Sequence, residues 1–234
     1  MITRISEDYT ETGPQITQIT QMTSPTKRAT VRQKPQRAHY DRETVNAILD
    51  EGLVCHVGFI VDGAPIVIPT GYARDGDRLL LHGGAASRLM GQLSDGVNVS
   101  IAVTLVDGLV LADVAFRHSM NYRSVVLFGR ARAIMDPAEK QRALRAFAEH
   151  IVPGRWSDLP APTPQELGAT AVVEVPIDEV SAKIRSGPPI AGATPPGPTL
   201  WTGTASFATS VSGFTPEARS EGLPVPEYLT RWRR

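Results

Sequence analysis

Residues 54–82 read Val54-Cys55-His56-Val57-Gly58-Phe59-Ile60-Val61-Asp62-Gly63-Ala64-Pro65-Ile66-Val67-Ile68-Pro69-Thr70-Gly71-Tyr72-Ala73-Arg74-Asp75-Gly76-Asp77-Arg78-Leu79-Leu80-Leu81-His82. Three β-rich runs, at 54–61, 65–73 and 78–82, are separated only by Asp62-Gly63 and Asp75-Gly76. Asp-Gly is a hairpin signal, because tight two-residue turns need backbone angles that glycine supplies without strain. Strands joined this closely are antiparallel, so the stretch predicts a barrel or sandwich and excludes a doubly wound parallel sheet.

The flanks extend the pattern. Upstream, Asp41 caps a short helix whose buried face is Val45, Ile48 and Leu49, and Gly52 ends it. Downstream, 87–93 reads as one brief helix closed by Asp95-Gly96. Residues 97–106 alternate as a half-buried strand, and 122–135 form a second long strand in which Gly129 suggests a bend or bulge. Asp136-Pro137-Ala138-Glu139 is a helix start, followed by an apolar face of Leu144, Phe147, Ala148 and Ile151. Thr163-Pro164-Gln165-Glu166 repeats the capping device. Residues 171–175 and 180–184 read as a final strand interrupted at Pro176.

Three regions are expected. Residues 1–31, rich in Thr, Gln and Ser, read as a disordered tail. Residues 32–185 form the mainly β domain, a β-barrel with flanking helices. Residues 186–234 begin with Ser186-Gly187-Pro188-Pro189, which cannot pack as a regular element. This region still holds Trp201, Phe207, Phe214, Tyr228 and Trp232, so it is expected to be an extended C-terminal arm lying on the domain or on a partner subunit.

Composition narrows the function. The 234 residues carry 24 Lys+Arg and 24 Asp+Glu, so the net charge is zero, which argues against nucleic acid or an anionic membrane surface as partner. The single cysteine, Cys55, excludes an internal disulfide and, lying in an apolar run, reads as a buried structural thiol. Neither an apolar run of membrane-spanning length nor a basic-then-apolar leader occurs, so a cytoplasmic location is expected. The five histidines, His39, His56, His82, His118 and His150, show no metal spacing, and no zinc or copper site is expected. One histidine suffices for haem, which leaves haem open. There is no G-x-G-x-x-G, Walker-type loop or G-x-S-x-G signature.

Three stretches could carry chemistry. His82-Gly83-Gly84-Ala85-Ala86-Ser87-Arg88 is a strand end, a small-residue loop and a helix start, where amides, the Ser87 hydroxyl and the Arg88 guanidinium could meet a phosphate. The plainer reading is a glycine turn with a solvated arginine. Phe116-Arg117-His118-Ser119-Met120-Asn121-Tyr122-Arg123-Ser124 gathers varied polar groups before an apolar strand, as at a barrel mouth, or is an ordinary polar connection. Pro69 within a strand marks an edge or opening where Thr70 could meet a planar ligand, or a simple bulge.

These stretches, in this order, resemble the pyridoxamine 5′-phosphate oxidase-like FMN-binding split-barrel superfamily, in its flavin-nucleotide-binding branch with the nitroimidazole-resistance reductases. The most specific run is His118-Ser119-Met120-Asn121-Tyr122-Arg123-Ser124-Val125. It is joined by Ile68-Pro69-Thr70, Leu81-His82-Gly83, Ser87-Arg88, Pro153-Gly154-Arg155-Trp156, and Ser181-Ala182-Lys183 through Gly187-Pro188-Pro189. The resemblance implies a homodimer with FMN between subunits. Ser87 and Arg88 would hold the phosphate, Pro69, Thr70, His82 and Gly83 would line the ribityl chain and ring, and Tyr122, Arg123 and Ser124 would approach from the adjoining strand. It implies an FMN-dependent oxidoreductase taking electrons from NAD(P)H to a small acceptor, with His82 and His118 as candidate proton donors. The alternatives are a flavin carrier or sensor without turnover, or a haem or deazaflavin binder on the same barrel. The lysine that follows Ser-Arg in the pyridoxamine phosphate oxidases proper is Leu89 here, which argues against vitamin B6 oxidation.

Overall fold

The computed structural model describes residues 25–190 and 199–234. Among the described residues, eleven strands form two open antiparallel sheets. In chain order they are β1 (Ala38–His39), β2 (Val54–Val61), β3 (Ala64–Gly71), β4 (Ala73–Asp75), β5 (Arg78–Gly84), β6 (Asn98–Leu111), β7 (Ser119–Arg130), β8 (Arg132–Ala133), β9 (Thr170–Pro176), β10 (Glu179–Arg185) and β11 (Gly203–Ser206). The larger sheet runs β1-β10-β7-β6-β2-β3, with β11 added along β6, and the smaller runs β4-β5-β9-β8. Two sheets facing one core without closing make a split barrel.

The hairpin signals mark real turns. Asp62 and Gly63 both have positive φ, 51° and 77°, and Gly76 has 58°, the left-handed angles such turns require. What the sequence reading ran together, the structure divides between sheets. The expected strand 65–73 is two strands, because fully buried Tyr72 turns the chain from the larger sheet into the smaller and anchors the corner by donating its hydroxyl to Leu49 O at 2.7 Å. The final strand, expected as 171–175 and 180–184 with an interruption at Pro176, is β9 in one sheet and β10 in the other. The expected 97–106 strand runs on to Leu111 through a bulge between Val106 and Gly108, and the expected 122–135 strand starts earlier, at Ser119, and ends at Arg130. Gly129 lies in regular register opposite Val99; a side chain there would meet Val175 Cγ1 at 2.7 Å, so it permits close approach of the sheets rather than a bulge.

The inner faces supply the core: Cys55, Val57, Ile101, Val103, Val125 and Leu127 from the larger sheet pack against Leu79, Leu81, Val173 and Val175 from the smaller. Helix α1 (Arg42–Glu51) is capped by Asp41 and closes one end with Val45, Ile48 and Leu49. Helix α2 (Arg88–Ser94) sends Met90 and Leu93 into the same core. Helix α3 (Pro137–Ile151) covers the opposite face of the smaller sheet, where Leu80 and Val172 meet Ala143. Helix α4 (Pro164–Ala169) starts with the expected capping box of Thr163 and Glu166.

The expected tail, 1–31, lies outside the described residues over 1–24, but its last residues are ordered by the fold. Thr26 and Arg28 bond to Glu179, and Ala29 is buried. The C-terminal arm lies on its own domain. β11 pairs with β6, and after the short α5 (Glu227–Thr230) Trp232 Nε1 donates to Ile151 O at 2.8 Å. Among the described residues no helix is long and apolar enough to cross a membrane.

Candidate cofactor site

The Gly-rich turn ends β5 and leads into α2. Ser87 is the N-cap of that helix, its Oγ accepting from Met90 N at 3.2 Å, so its own hydroxyl proton stays free to donate. Two loop amides are already used, Ala85 N on Ala169 O at 3.0 Å and Ser87 N on Gly84 O at 2.9 Å. An anion here would therefore meet side chains more than an amide cradle. Arg88 is exposed and makes no hydrogen bond or ion pair among the described residues. Gly83 is packed closely, since a side chain there would meet Met90 Cγ at 3.0 Å.

Strand alternation separates the other expected residues. Pro69, opposite His56, and Tyr122 and Ser124, opposite Val106 and Thr104, belong to the outer face of the larger sheet. Thr70, opposite Cys55, and Arg123, opposite Leu105, belong to the inner face. The Arg123 guanidinium is not free. It donates to both oxygens of Asp107, to Glu51 Oε1 at 2.7 Å and to Glu51 Oε2, which holds its pKa above the usual arginine value. Arg123, Glu51 and Asp107 line a cleft of about 270 Å³ that Phe207 and Arg234 of the C-terminal arm border. Ser124 Oγ donates to Lys183 O at 3.3 Å.

His82 faces α3. Its ring stands edge-on to Phe147 at 4.0 Å between centroids and forms one wall of a cavity of about 430 Å³, with Leu144, Trp156, Leu159 and Pro162 around it. Its Nδ1 is buried without a hydrogen-bond partner among the described residues, and burial lowers its pKa, which favours the neutral ring. His118 is exposed in the β6–β7 connection, 3.1 Å from Val114 O through Nδ1. The two candidate histidines thus stand in different surroundings, His82 against α3 and His118 in the β6–β7 connection. Cys55 is fully buried and its thiol is pushed up to about 12 by desolvation, the structural thiol expected.

Glu51 and Asp107 escaped the sequence reading as partners of Arg123, and so did Arg185, whose side chain is almost wholly buried. Glu51 stands at the end of α1. Only the packing of α1 on β7 brings it to Arg123.

A split barrel with an apolar, histidine-walled cavity and a basic turn at the start of a helix defines a class of small-ligand-binding β proteins. This chain belongs to the pyridoxamine 5′-phosphate oxidase family, whose model matches residues 41–184. It is similar to the flavocytochrome Anf3 from Azotobacter vinelandii, with 38% identity and a TM-score of 0.81 over 90% of this chain and 98% of that one. It is also similar to the FAD- and haem-binding protein from Mycobacterium smegmatis, with 31% identity and a TM-score of 0.77 over 82% and 95%. A protein from Bacteroides thetaiotaomicron assigned to 5-nitroimidazole antibiotic resistance is 26% identical, with a TM-score of 0.53 over 63% and 86%. No curated protein sequence matches the chain.

Proposed function

We propose that this chain is a flavin-binding redox protein, acting as a homodimer, that also holds a haem. The observation that carries this reading is the similarity, over nearly the whole chain, to two proteins that are respectively a flavocytochrome and an FAD- and haem-binding protein. The residues fit both groups. Arg88, exposed and without a partner, and the free hydroxyl proton of Ser87 suit a flavin phosphate. Of the residues assigned to the rest of the flavin, Pro69, Tyr122 and Ser124 share the outer face of the larger sheet, whereas Thr70 belongs to the inner face and Gly83 packs on Met90, so the outer-face set is the one this reading keeps. His82, neutral, with an orphaned buried nitrogen in an apolar cavity, suits haem iron.

A bound flavin would supply hydride acceptance from a reduced nicotinamide and one-electron release, and a bound haem a one-electron acceptor. The chain's own part is to anchor and orient. Phe147 and Trp156 give the cavity an apolar wall, and burial favours the neutral form of His82. The flavin of this reading is FMN. The FAD of the Mycobacterium relative favours FAD as a second reading, and the mass of the flavin released on denaturation separates the two. Exposed Ile60, Val67, Met120 and Phe116, the last 96% accessible, give a second subunit an apolar surface to cover.

The test is the absorption spectrum of the purified protein, with mass identification of what denaturation releases. Flavin bands together with an intense Soret band are expected. Arg88→Ala is expected to lower flavin affinity at least tenfold, about 1.4 kcal/mol, and His82→Ala to remove or shift the Soret band while leaving the flavin bands. A protein that releases neither group, and takes up neither on addition, overturns the reading.

A further inference from the structure

Four of the five histidines are engaged by their own chain. His82 stands edge-on to Phe147, His118 and His150 approach the carbonyls of Val114 and Gly52, and His39 lies 4.0 Å from Asp41. His56, in the middle of β2, is exposed and makes no hydrogen bond, ion pair or ring contact among the described residues. Paired residues of neighbouring strands share a face. His56 is registered opposite Pro69 on β3 and Ala102 on β6, so it stands on the outer face of the larger sheet. Thr104, the next outward residue of β6, faces Ser124 on β7. From Pro69 to Ser124 the face spans three strand spacings, about 14 Å, and His56 lies within that span.

The surroundings leave the imidazole room and no ionic partner. Gly58, the next outward residue of β2, has no side chain, and Ala102 and Ser100 across on β6 have short ones. No other outward residue of β2, β3 or β6 over 54–60, 65–71 and 98–106 titrates. The other ionisable groups of this face are Tyr122 on β7, Glu179 with its partner Arg28, and Lys183 and Arg185 on β10, all two or more strands away. The face around His56 is apolar and open, with Val54, Ile60 and Val67 at 50%, 59% and 63% exposure. In the reading proposed above, this face carries the flavin and meets a second subunit. Covering an imidazole that has no partner is costly unless the covering group supplies one.

We infer that the flavin ring is that group, and that His56 contacts it and bears the proton for its reduction, the role for which the sequence offered His82 and His118. The inference rests on the flavin reading and adds a residue to it. A hydride from reduced nicotinamide brings two electrons and one proton and leaves a negative charge on the ring. Protonated His56 offsets that charge and gives its proton to the ring. The neutral imidazole then recovers a proton from water, so atoms and charge balance.

The test is the midpoint potential of the bound flavin, measured by spectroelectrochemistry on full-length wild type, His56→Gln and His56→Leu. Each is loaded with FMN, or with FAD where denaturation releases FAD, and light scattering follows the oligomeric state. The position is exposed, so both variants are expected to fold with thermal midpoints like that of the wild type. The potential reports the ratio of affinities for reduced and oxidised flavin. Loss of His56 is expected to weaken the hold on the reduced form at least tenfold relative to the oxidised, which lowers the midpoint by about 30 mV. The gap between wild type and variants is expected to be wider near about pH 6, where imidazole carries a proton, than near about pH 8. Flavin bound at the wild-type potential in both variants overturns the inference and leaves the flavin reading standing. A protein that takes up no flavin overturns both. Dissociation of a dimer by His56→Leu at unchanged potential also overturns the inference, since the imidazole then belongs to a subunit contact.

Discussion

Arg123 on β7 and Asp107 at the bulge of β6 are locked side by side, Arg123 Nη2 donating to Asp107 Oδ1 at 2.7 Å and Nε to Oδ2 at 3.0 Å. The same guanidinium reaches Glu51 at the end of α1, so one side chain ties a helix to two strands. Arg123→Ala would leave two carboxylates facing each other at the cleft. The group is about a third accessible, so solvent moderates the effect, and a loss of about 1–2 kcal/mol is expected. Urea unfolding of Arg123→Ala and of the double variant with Asp107→Asn checks this; the double variant is expected to recover part of the loss. Equal midpoints in wild type and Arg123→Ala would refute the structural role.

Cys55 gives a chemical check on the core. It is fully buried between the sheets, and burial raises its thiol to about 12, so thiolate is absent at neutral pH. The native protein is expected to show no fast reaction with a thiol reagent, and one equivalent after denaturation, since the chain has a single cysteine. Rapid labelling of the native state would mean that the sheets open far more readily than their packing implies.

These features differ in how far the sequence displayed them. The hairpins at Asp62-Gly63 and Asp75-Gly76 were legible because the turns demand particular backbone angles and therefore particular residues. The passage between sheets at Tyr72 was not legible, and at Pro176 the interruption was read but not the change of sheet. Both sheets face the same core, so the alternation of apolar residues continues through the corner unchanged. At the site, Ser87 as helix cap was readable from local chemistry. The sequence reading grouped Pro69, Thr70, Tyr122, Arg123 and Ser124 around one ligand; that Thr70 and Arg123 point inward while Pro69, Tyr122 and Ser124 point outward follows only from the register of β2, β3, β6 and β7. Arg185 figured in the sequence only as the last residue of the expected β domain, one past the expected strand. Its burial among Asn121, Gly187 and Pro188 exists only in three dimensions.

The arm's attachment turns on Gly108. A side chain there would run into the Ala205 carbonyl and come within 3.1 Å of Ser206 Cα, both in β11. Backbone cannot yield as a flexible side chain can, so Gly108→Ala is expected to lift β11 from β6 while the barrel remains folded. Amide exchange over 203–207 is expected to speed up at least tenfold, about 1.4 kcal/mol of local opening. Protection retained at Phe207, whose N–H donates to Asp107 O at 2.9 Å, would show that the arm is held by other contacts.

His82 couples stability to pH. Burial lowers its folded-state pKa below the ordinary 6.5. Above 6.5 the ring is neutral in both the folded and unfolded states, and the group has no effect. As pH falls through 6.5 the unfolded chain takes up a proton that the folded chain refuses, so stability is lost from there down to the lowered folded value. The slope from one such group is at most about 1.4 kcal/mol per pH unit. His150 is lowered as well, with desolvation the larger cause and its contact with Gly52 O, at 2.7 Å, opposing it, so the wild type combines two such contributions. His82→Leu fills the same apolar wall without titrating. Its unfolding free energy between pH 7 and 5 is therefore expected to fall less steeply than that of the wild type. Parallel curves for the two proteins would mean that His82 is protonated as readily inside the cavity as outside it, and the neutral imidazole on which its assignment to iron depends would be lost with that result.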